Sequence, residues 1–262
     1  AGAAGAAAAA KVKTPAKQFT PTALVTTVWS LSVMGGAALR SNTFAALWSE
    51  LCAHGDQQGA AAAAAVGGGV AYDGGVVPGE QITFGPWRGK HLNQINQAAL
   101  SVDAVGGAAA LGLSSGALPA ELAAAAESAW LAQRRPPVVS WYQRDVAAIL
   151  SYMGEKHEEE AVCGGYRVDL LIPQPVGIEQ SLKAAVGAGV VLEVDGPSHF
   201  ARNDTASPLG QTRLKHRHLR HMGFSVMSVP VADWEYLESS EDKVDYLRKG
   251  MEHAAGAGAD TA

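Results

Sequence analysis

The chain has 262 residues, of which 48% are apolar, and a formal net charge of −5. That length holds one large domain or two small ones, and an acidic balance excludes an all-over polycation, so any nucleic-acid contact needs a local basic face. Cys52 and Cys163 are too few for a disulfide framework and lack metal-ligand spacing, and no apolar run reaches the length of a membrane span.

Residues 1–18, Ala/Gly followed by a Lys/Pro/Thr patch, read as a disordered low-complexity lead. The chain opens on Ala rather than Met, which reads as a fragment or a processed form. From Phe19 the pattern turns helical. Thr20-Pro21 supplies an N-cap and first helical position, and Leu24, Val28 and Leu31 recur at helical spacing up to Gly35-Gly36. A second helix from about Asn42 carries Phe44, Leu47, Trp48 and Leu51 on one side. Two short amphipathic helices split by a glycine turn form the hairpin from which α-solenoids are stacked. Gly/Ala-rich stretches at 54–80 and 103–117 show no periodicity and read as flexible insertions. Phe84 to Leu100 resumes a helix, Leu118-Pro119 opens another towards Arg134, and Pro136-Pro137 stops it. Ser140 then caps a helix carrying Val146, Ile149, Leu150 and Met153, which Gly154 ends. Residues 19–154 are therefore expected to be one helical, solenoid-repeat-like region.

After Gly154 the hydrophobic period changes from 3.6 to 2. His157 to Cys163 is an edge strand, Gly164-Gly165 a tight turn and Tyr166 to Ile172 a second strand. Residues 173–189 form a long loop before a third strand, Val190 to Asp195. Ser207-Pro208 reads as the start of a helix running to Met222, closed by Gly223. A fourth strand covers Phe224 to Val229, a last helix runs from about Ser240 to His253, and 251–262 is a disordered tail. The order β-β-β-α-β-α over 155–250 implies a small α/β domain with a mixed sheet.

The chemistry concentrates on the third strand. Alternation puts Leu192 and Val194 on one face and Glu193 and Asp195 on the other. Two carboxylates on so apolar a strand need a cation, and Asp169 on the preceding strand stands in a similar context. On a helical wheel for residues 209–222, Arg213, His216, Arg217, Arg220 and His221 share one arc, a basic stripe suited to a phosphate backbone. Leu214, His218, Leu219 and Met222 share the other arc, with Lys215 in its middle. A lysine on a buried arc must snorkel out or meet an anion, and Glu193 or Asp195 is the expected one.

The segment Leu192-Glu193-Val194-Asp195-Gly196-Pro197-Ser198-His199-Phe200, with Leu209 to Leu219, Gly223-Phe224, Val229-Pro230 and Trp234, resembles a RAP domain over about 166–250. That module ends organellar RNA-metabolism proteins, including the FAST-kinase-like and octatricopeptide-repeat proteins of mitochondria and plastids. The resemblance implies a restriction-endonuclease-like fold. In active nucleases of that fold an Asp and a Glu-x-Lys hold a divalent metal that activates water. Asp169 matches the first Asp and Glu193 the Glu, but Asp195 stands where the Lys belongs. Lys215 is then either a relocated lysine or a structural counter-ion, and His199 either a general base or a turn residue.

The resemblance implies an RNA-binding protein of organellar RNA processing, splicing, stability or translation, located in chloroplast or mitochondrion. Its expected partners are a single-stranded transcript or ribosomal RNA and other organellar RNA-processing proteins, with no cofactor and no membrane. The alternative is an endoribonuclease holding Mg²⁺ on Asp169, Glu193 and Asp195, with Lys215 and His199 completing the site. A further alternative is a structural component of an organellar ribonucleoprotein.

Overall fold

A computed structural model describes residues 19–65, 82–133, 138–173, 187–202 and 204–259. The predicted lead at 1–18 and most of the predicted loop at 173–189 lie outside those residues.

The helical half comprises α1 (Pro21–Met34), α2 (Gly36–Leu39), α3 (Asn42–Ala65), α4 (Gly89–Asp103), α5 (Gly107–Ala110) and α6 (Ala120–Leu131). Pro21 starts α1, and Thr20 Oγ1 accepts a hydrogen bond from the Ala23 N–H at 3.2 Å. Leu24, Val28, Phe44, Trp48, Trp87, Leu92, Ile95 and Leu122 meet in one core. A two-residue hairpin, β1 (Thr83–Phe84) and β2 (Trp87–Arg88), precedes α4 where a continuous helix from Phe84 was expected. Gly85 (φ +53) makes that turn.

Both predicted insertions are corrected within the described residues, and residues 66–80 of the first lie outside them. Residues 54–65 continue α3, because alanine is the strongest helix former whatever its low complexity. Gly55 is needed there: an added Cβ would lie 2.9 Å from Leu122 Cδ2 on α6. Residues 103–117 hold the end of α4, the short α5 and a run of turns with Leu113 buried, pinned by a 2.9 Å hydrogen bond from Trp48 Nε1 to Gly116 O.

α7 (Trp141–Tyr152), capped by Ser140 as expected, belongs to the second half rather than the first. Val146, Ile149 and Leu150 share a core with Leu170, Leu192, Val229, Trp234 and Leu247. The boundary at 154 therefore falls too late.

Strands β3 (Glu158–Glu159), β4 (Val162–Cys163), β5 (Tyr166–Arg167), β6 (Leu170–Ile172) and β7 (Val190–Asp195) follow, then β8 (Phe200–Ala201) and β9 (Asp204–Pro208). α8 (Gly210–His221), β10 (Ser225–Pro230), α9 (Val231–Glu235) and α10 (Ser240–Ala259) complete the chain. The main sheet runs β10-β7-β6-β3, with β7 parallel to β10 and antiparallel to β6, the expected mixed sheet. The two predicted strands after Gly154 are each split in two, with Glu160 (φ +54) at one break.

Gly164 and Gly165 form the predicted turn at φ +55 and +82. Trp130 Nε1 donates to Gly164 O at 2.8 Å, and an added Cβ on Gly165 would sit 2.2 Å from the same nitrogen. Gly165→Ala is expected to lower stability by roughly 2–4 kcal/mol, from backbone strain plus the displaced indole. Urea unfolding followed by tryptophan fluorescence measures it.

Two further expectations fail locally. Ser207-Pro208 is not a helix start: Pro208 pairs with Phe200 in the β8–β9 hairpin, and the Leu209 N–H closes that hairpin on His199 O at 2.7 Å. The helix begins at Gly210. The predicted tail at 251–262 is helical up to Ala259, with Met251, Ala254 and Ala255 buried against the sheet.

Candidate functional site

β7 is buried along its whole length, because the sheet is covered on both faces. Glu193 and Asp195 are 3% and 2% exposed and share a face as alternation requires. Each carboxylate has its own internal partner. Lys215 Nζ lies 2.6 Å from Glu193 Oε2, reached from the second turn of α8. Asp195 accepts from His199 Nδ1 at 2.6 Å and from the Ser228 hydroxyl on β10. Asp169 Oδ2 accepts the Val194 N–H at 2.7 Å, which puts Asp169 beside the pair.

The electrostatics follow from these contacts. Burial pushes Glu193 up to about 7, against the pull of Lys215. Burial also raises Asp169, although the Val194 N–H opposes it. For Asp195 burial is outweighed by the His199 and Ser228 hydrogen bonds, which hold it below its usual value. His199, on the Pro197–His199 turn, is raised mainly by its bond to Asp195. It orients the turn through that bond.

The residues do not fit the expected Mg²⁺ set. Among the described residues no three His, Cys, Asp or Glu side chains come together as a metal-binding group. The donor set explains this: one oxygen of Glu193 is held by an ammonium, both of Asp195 by hydrogen-bond donors and one of Asp169 by a backbone amide.

The basic stripe is divided. α8 lies between the sheet and the helical half, so part of the basic arc meets α1 and α4 instead of solvent. Arg213 and His221 are exposed as predicted. Arg217 instead donates to Ser32 O at 2.6 Å and to Ser101 Oγ at 3.3 Å. His216 is 7% exposed, burial pushes it down to about 4, and its Nε2 has no partner. Arg220 is exposed, and its guanidinium reaches Val226 O at 3.4 Å.

A network not foreseen from sequence ties the two halves. His218, fully buried, bridges the Tyr166 hydroxyl at 2.7 Å and Ser101 Oγ at 2.8 Å. Ser101 spends its hydroxyl proton on Gln97 O, so the His218 Nε2–H donates to it and Nδ1 accepts from Tyr166. Gln97 accepts from Trp29 Nε1 at 2.6 Å and donates to Tyr166 at 3.4 Å.

This junction leaves a cleft of about 1260 Å³ between the halves. Glu193, Asp195, His199 and Lys215 form its floor, and Lys90, Asn93, Gln94 and Trp29 its helical wall. Arg167, the exposed apolar Leu131, Val162 and Leu209, and the first turn of α8 (Gly210, Gln211, Thr212) also line it. The wall residues were missed because only the fold brings them opposite β7. Their one trace in sequence is the amide-rich face Asn93-Gln94-Gln97.

Residues 192–249 match the family described as RAP domain. Over 112 residues the chain is 31% identical to a protein of Oryza sativa subsp. japonica named RAP domain-containing protein, chloroplastic, an alignment covering 43% of this chain and 15% of that protein. Over 62 residues it is 40% identical to the FAST kinase domain-containing protein 3, mitochondrial, of Rattus norvegicus, covering 24% of this chain and 9% of the relative. The Bos taurus protein of the same name is 41% identical over 59 residues. The chain thus spans a small part of the length of each of these relatives.

Proposed function

Because the chain carries a RAP domain at residues 192–249, we propose that it binds RNA in a chloroplast or mitochondrion, acting in processing, splicing, stability or translation of organelle transcripts. The helical half is the terminal unit of a longer repeat array in this reading, and other organellar RNA-processing proteins are its further partners. Names of the similar proteins place them in chloroplasts and mitochondria, which supports the location. Among the described residues no helix is long and apolar enough to cross a membrane.

The observation that carries binding over cleavage is the Glu193–Lys215 pair. Lys215 acts as the counter-ion of a buried acid, and Asp169 and Asp195 beside it accept hydrogen bonds from within the protein. RNA contact falls to Lys90 and Arg167 beside the cleft, to the N–H groups of the first turn of α8, which has no side-chain cap, and to the exposed Arg213 on the same helix.

Replacing Lys90 and Arg213 together with Ala is expected to weaken single-stranded RNA binding across sequences. The log–log salt slope should shallow by about 1.4, two phosphate contacts' worth. Fluorescence anisotropy over a salt series measures it, and an unchanged slope removes these residues from the interface. Equal affinity for organellar and scrambled RNA would favour the ribonucleoprotein-scaffold alternative. Mg²⁺-dependent cleavage that Asp169→Ala abolishes would overturn binding without chemistry.

A further inference from the structure

Across the sheet from the cleft, α7 and α10 pack on Leu192 and Val194, while Glu193 on the other face meets α8. α7 buries Val146, Ile149 and Leu150 and presents Trp141, Arg144, Ala148 and Tyr152. Trp141 and Tyr152 stand about three turns apart, so they head the two ends of one stripe about 16 Å long. Trp141 is 65% exposed and Tyr152 75%.

At its N-terminal end the stripe meets α9. Trp141 packs edge-on against Tyr142, with 5.2 Å between ring centroids, and the Tyr142 hydroxyl donates to Glu235. Tyr236, next to Glu235, is 85% exposed, and Val138, just before the cap of α7, is 87% exposed. Large apolar side chains left bare at one corner mark a contact surface.

Charge narrows what it contacts. Residues 231–242 carry five carboxylates, all exposed, and no lysine or arginine. Of the nearby bases, Arg144 is exposed and Lys243 is spent on Asp145 at 2.7 Å. An aromatic surface in acidic surroundings repels phosphate and suits a cation. The protein uses the same chemistry internally one layer down, where Lys243 Nζ lies 5.2 Å from the Trp234 ring centroid and reaches the Asp145 carboxylate. At the surface Trp141 and Glu235 repeat the ring and the carboxylate, and the cation is left to a partner.

We propose that this corner docks an arginine-bearing segment of a partner protein, with a guanidinium on the exposed surface of Trp141 and the carboxylates of residues 231–242 answering its charge. The rest of the segment lies along α7 towards Tyr152. Arginine fits better than lysine because its planar, weakly hydrated guanidinium stacks on an indole and forks onto a carboxylate. The proposal takes from the proposed function only that the chain has protein partners, and RNA binding stands or falls apart from it. Because the corner and the cleft lie on opposite faces of the sheet, one domain can hold RNA and partner together.

The test uses the full chain and three fluorescein-labelled peptides of one length, in which glycine alternates with arginine, lysine or citrulline. Citrulline matches arginine in shape without its charge. Anisotropy is expected to show the arginine peptide binding severalfold more tightly than the lysine peptide, and the citrulline peptide not binding. Trp141→Ala is expected to weaken the arginine peptide on the order of tenfold and to leave single-stranded RNA affinity unchanged. Trp141→Phe should keep part of the peptide affinity. Circular dichroism confirms that each variant is folded. No affinity of wild type for the arginine peptide overturns the site. So does equal affinity for arginine and lysine, or an arginine affinity that Trp141→Ala does not change, since either is plain charge attraction. Loss of RNA affinity in Trp141→Ala would make the corner an RNA surface. Self-association of wild type that Trp141→Ala abolishes in sedimentation would give it to a second copy. Either result overturns the proposal.

Discussion

Lys215→Met is expected to lower stability by roughly 3–5 kcal/mol well above pH 7 and by far less well below it. The substitution keeps an unbranched apolar stem and removes the ammonium 2.6 Å from Glu193 Oε2. Glu193 is then a buried carboxylate with neither oxygen answered by the protein. It has one escape, which is to take up a proton. Its carboxyl already titrates near 7 against an ordinary 4.5, because burial outweighs Lys215. A raised carboxyl contributes stability that is complete below its ordinary value and is lost as the pH climbs through the folded one. Removing Lys215 raises that folded value further. Wild type and variant therefore converge while Glu193 is protonated in both, and the deficit opens as the pH passes about 7. Adding Glu193→Gln to the variant is expected to recover most of the loss at alkaline pH. Urea midpoints across a pH series read both effects. A deficit of the same size at all pH values would mean that the ion pair is not its origin.

His218→Gln is expected to lower stability by roughly 2–4 kcal/mol near neutral pH and to loosen the helical half from the sheet. The ring is fully buried and spends both nitrogens between the halves, on Tyr166 and Ser101. A glutamine side chain reaches one of those partners and leaves the other unpaired beside a void. The pH dependence runs opposite in kind to that of Glu193. Burial, with the charges of Arg217 and His221, pushes His218 down to about 3. A depressed histidine contributes stability that is complete above its ordinary 6.5 and is lost as the pH falls through the folded value. The variant has no such group, so its deficit should shrink as the pH drops from 6.5. His216, held near 4 by burial, adds acid sensitivity that persists in the variant. Protease cuts between α6 and α7 at neutral pH should rise in the variant, and an unchanged pattern would count against the junction.

The site's floor is more legible in sequence than its walls. Val190 to Asp195 announces itself, since β-branched residues bounded by Gly189 and a Gly-Pro turn leave no other conformation, and alternation pairs Glu193 with Asp195. Lys215 on the apolar arc of its helix likewise demands an anion, and Glu193 is that anion. The second arc of the same helix misleads. Arg213, His216, Arg217 and Arg220 form a polar face on a wheel, and no periodicity says that a second layer covers part of it. Arg217 is half-buried there by partners more than a hundred residues away, and His216 is buried with its Nε2 unpartnered, which local patterns do not encode. Composition misleads elsewhere: the alanine run ending α3 resembles a linker in complexity but is a helix in propensity. Ser207-Pro208 carries the residue types of an N-cap, and only the pairing of Pro208 with Phe200 makes it a strand end. α9, five residues long, is too short for a period, although Trp234 within it anchors α7 through Asp145.

The family match begins at Leu192, the third residue of β7, and ends inside α10. The matched stretch is therefore shorter than the unit that packs around β7. A fragment cut at those limits would start midway along its central strand and lose β6, β3 and α7, baring Leu192, Val194 and Val229 to water. It would also part His218 from both Tyr166 and Ser101. Transplanting this module between proteins thus means carrying the preceding hairpin and helix with it, or supplying a new host surface of the same shape.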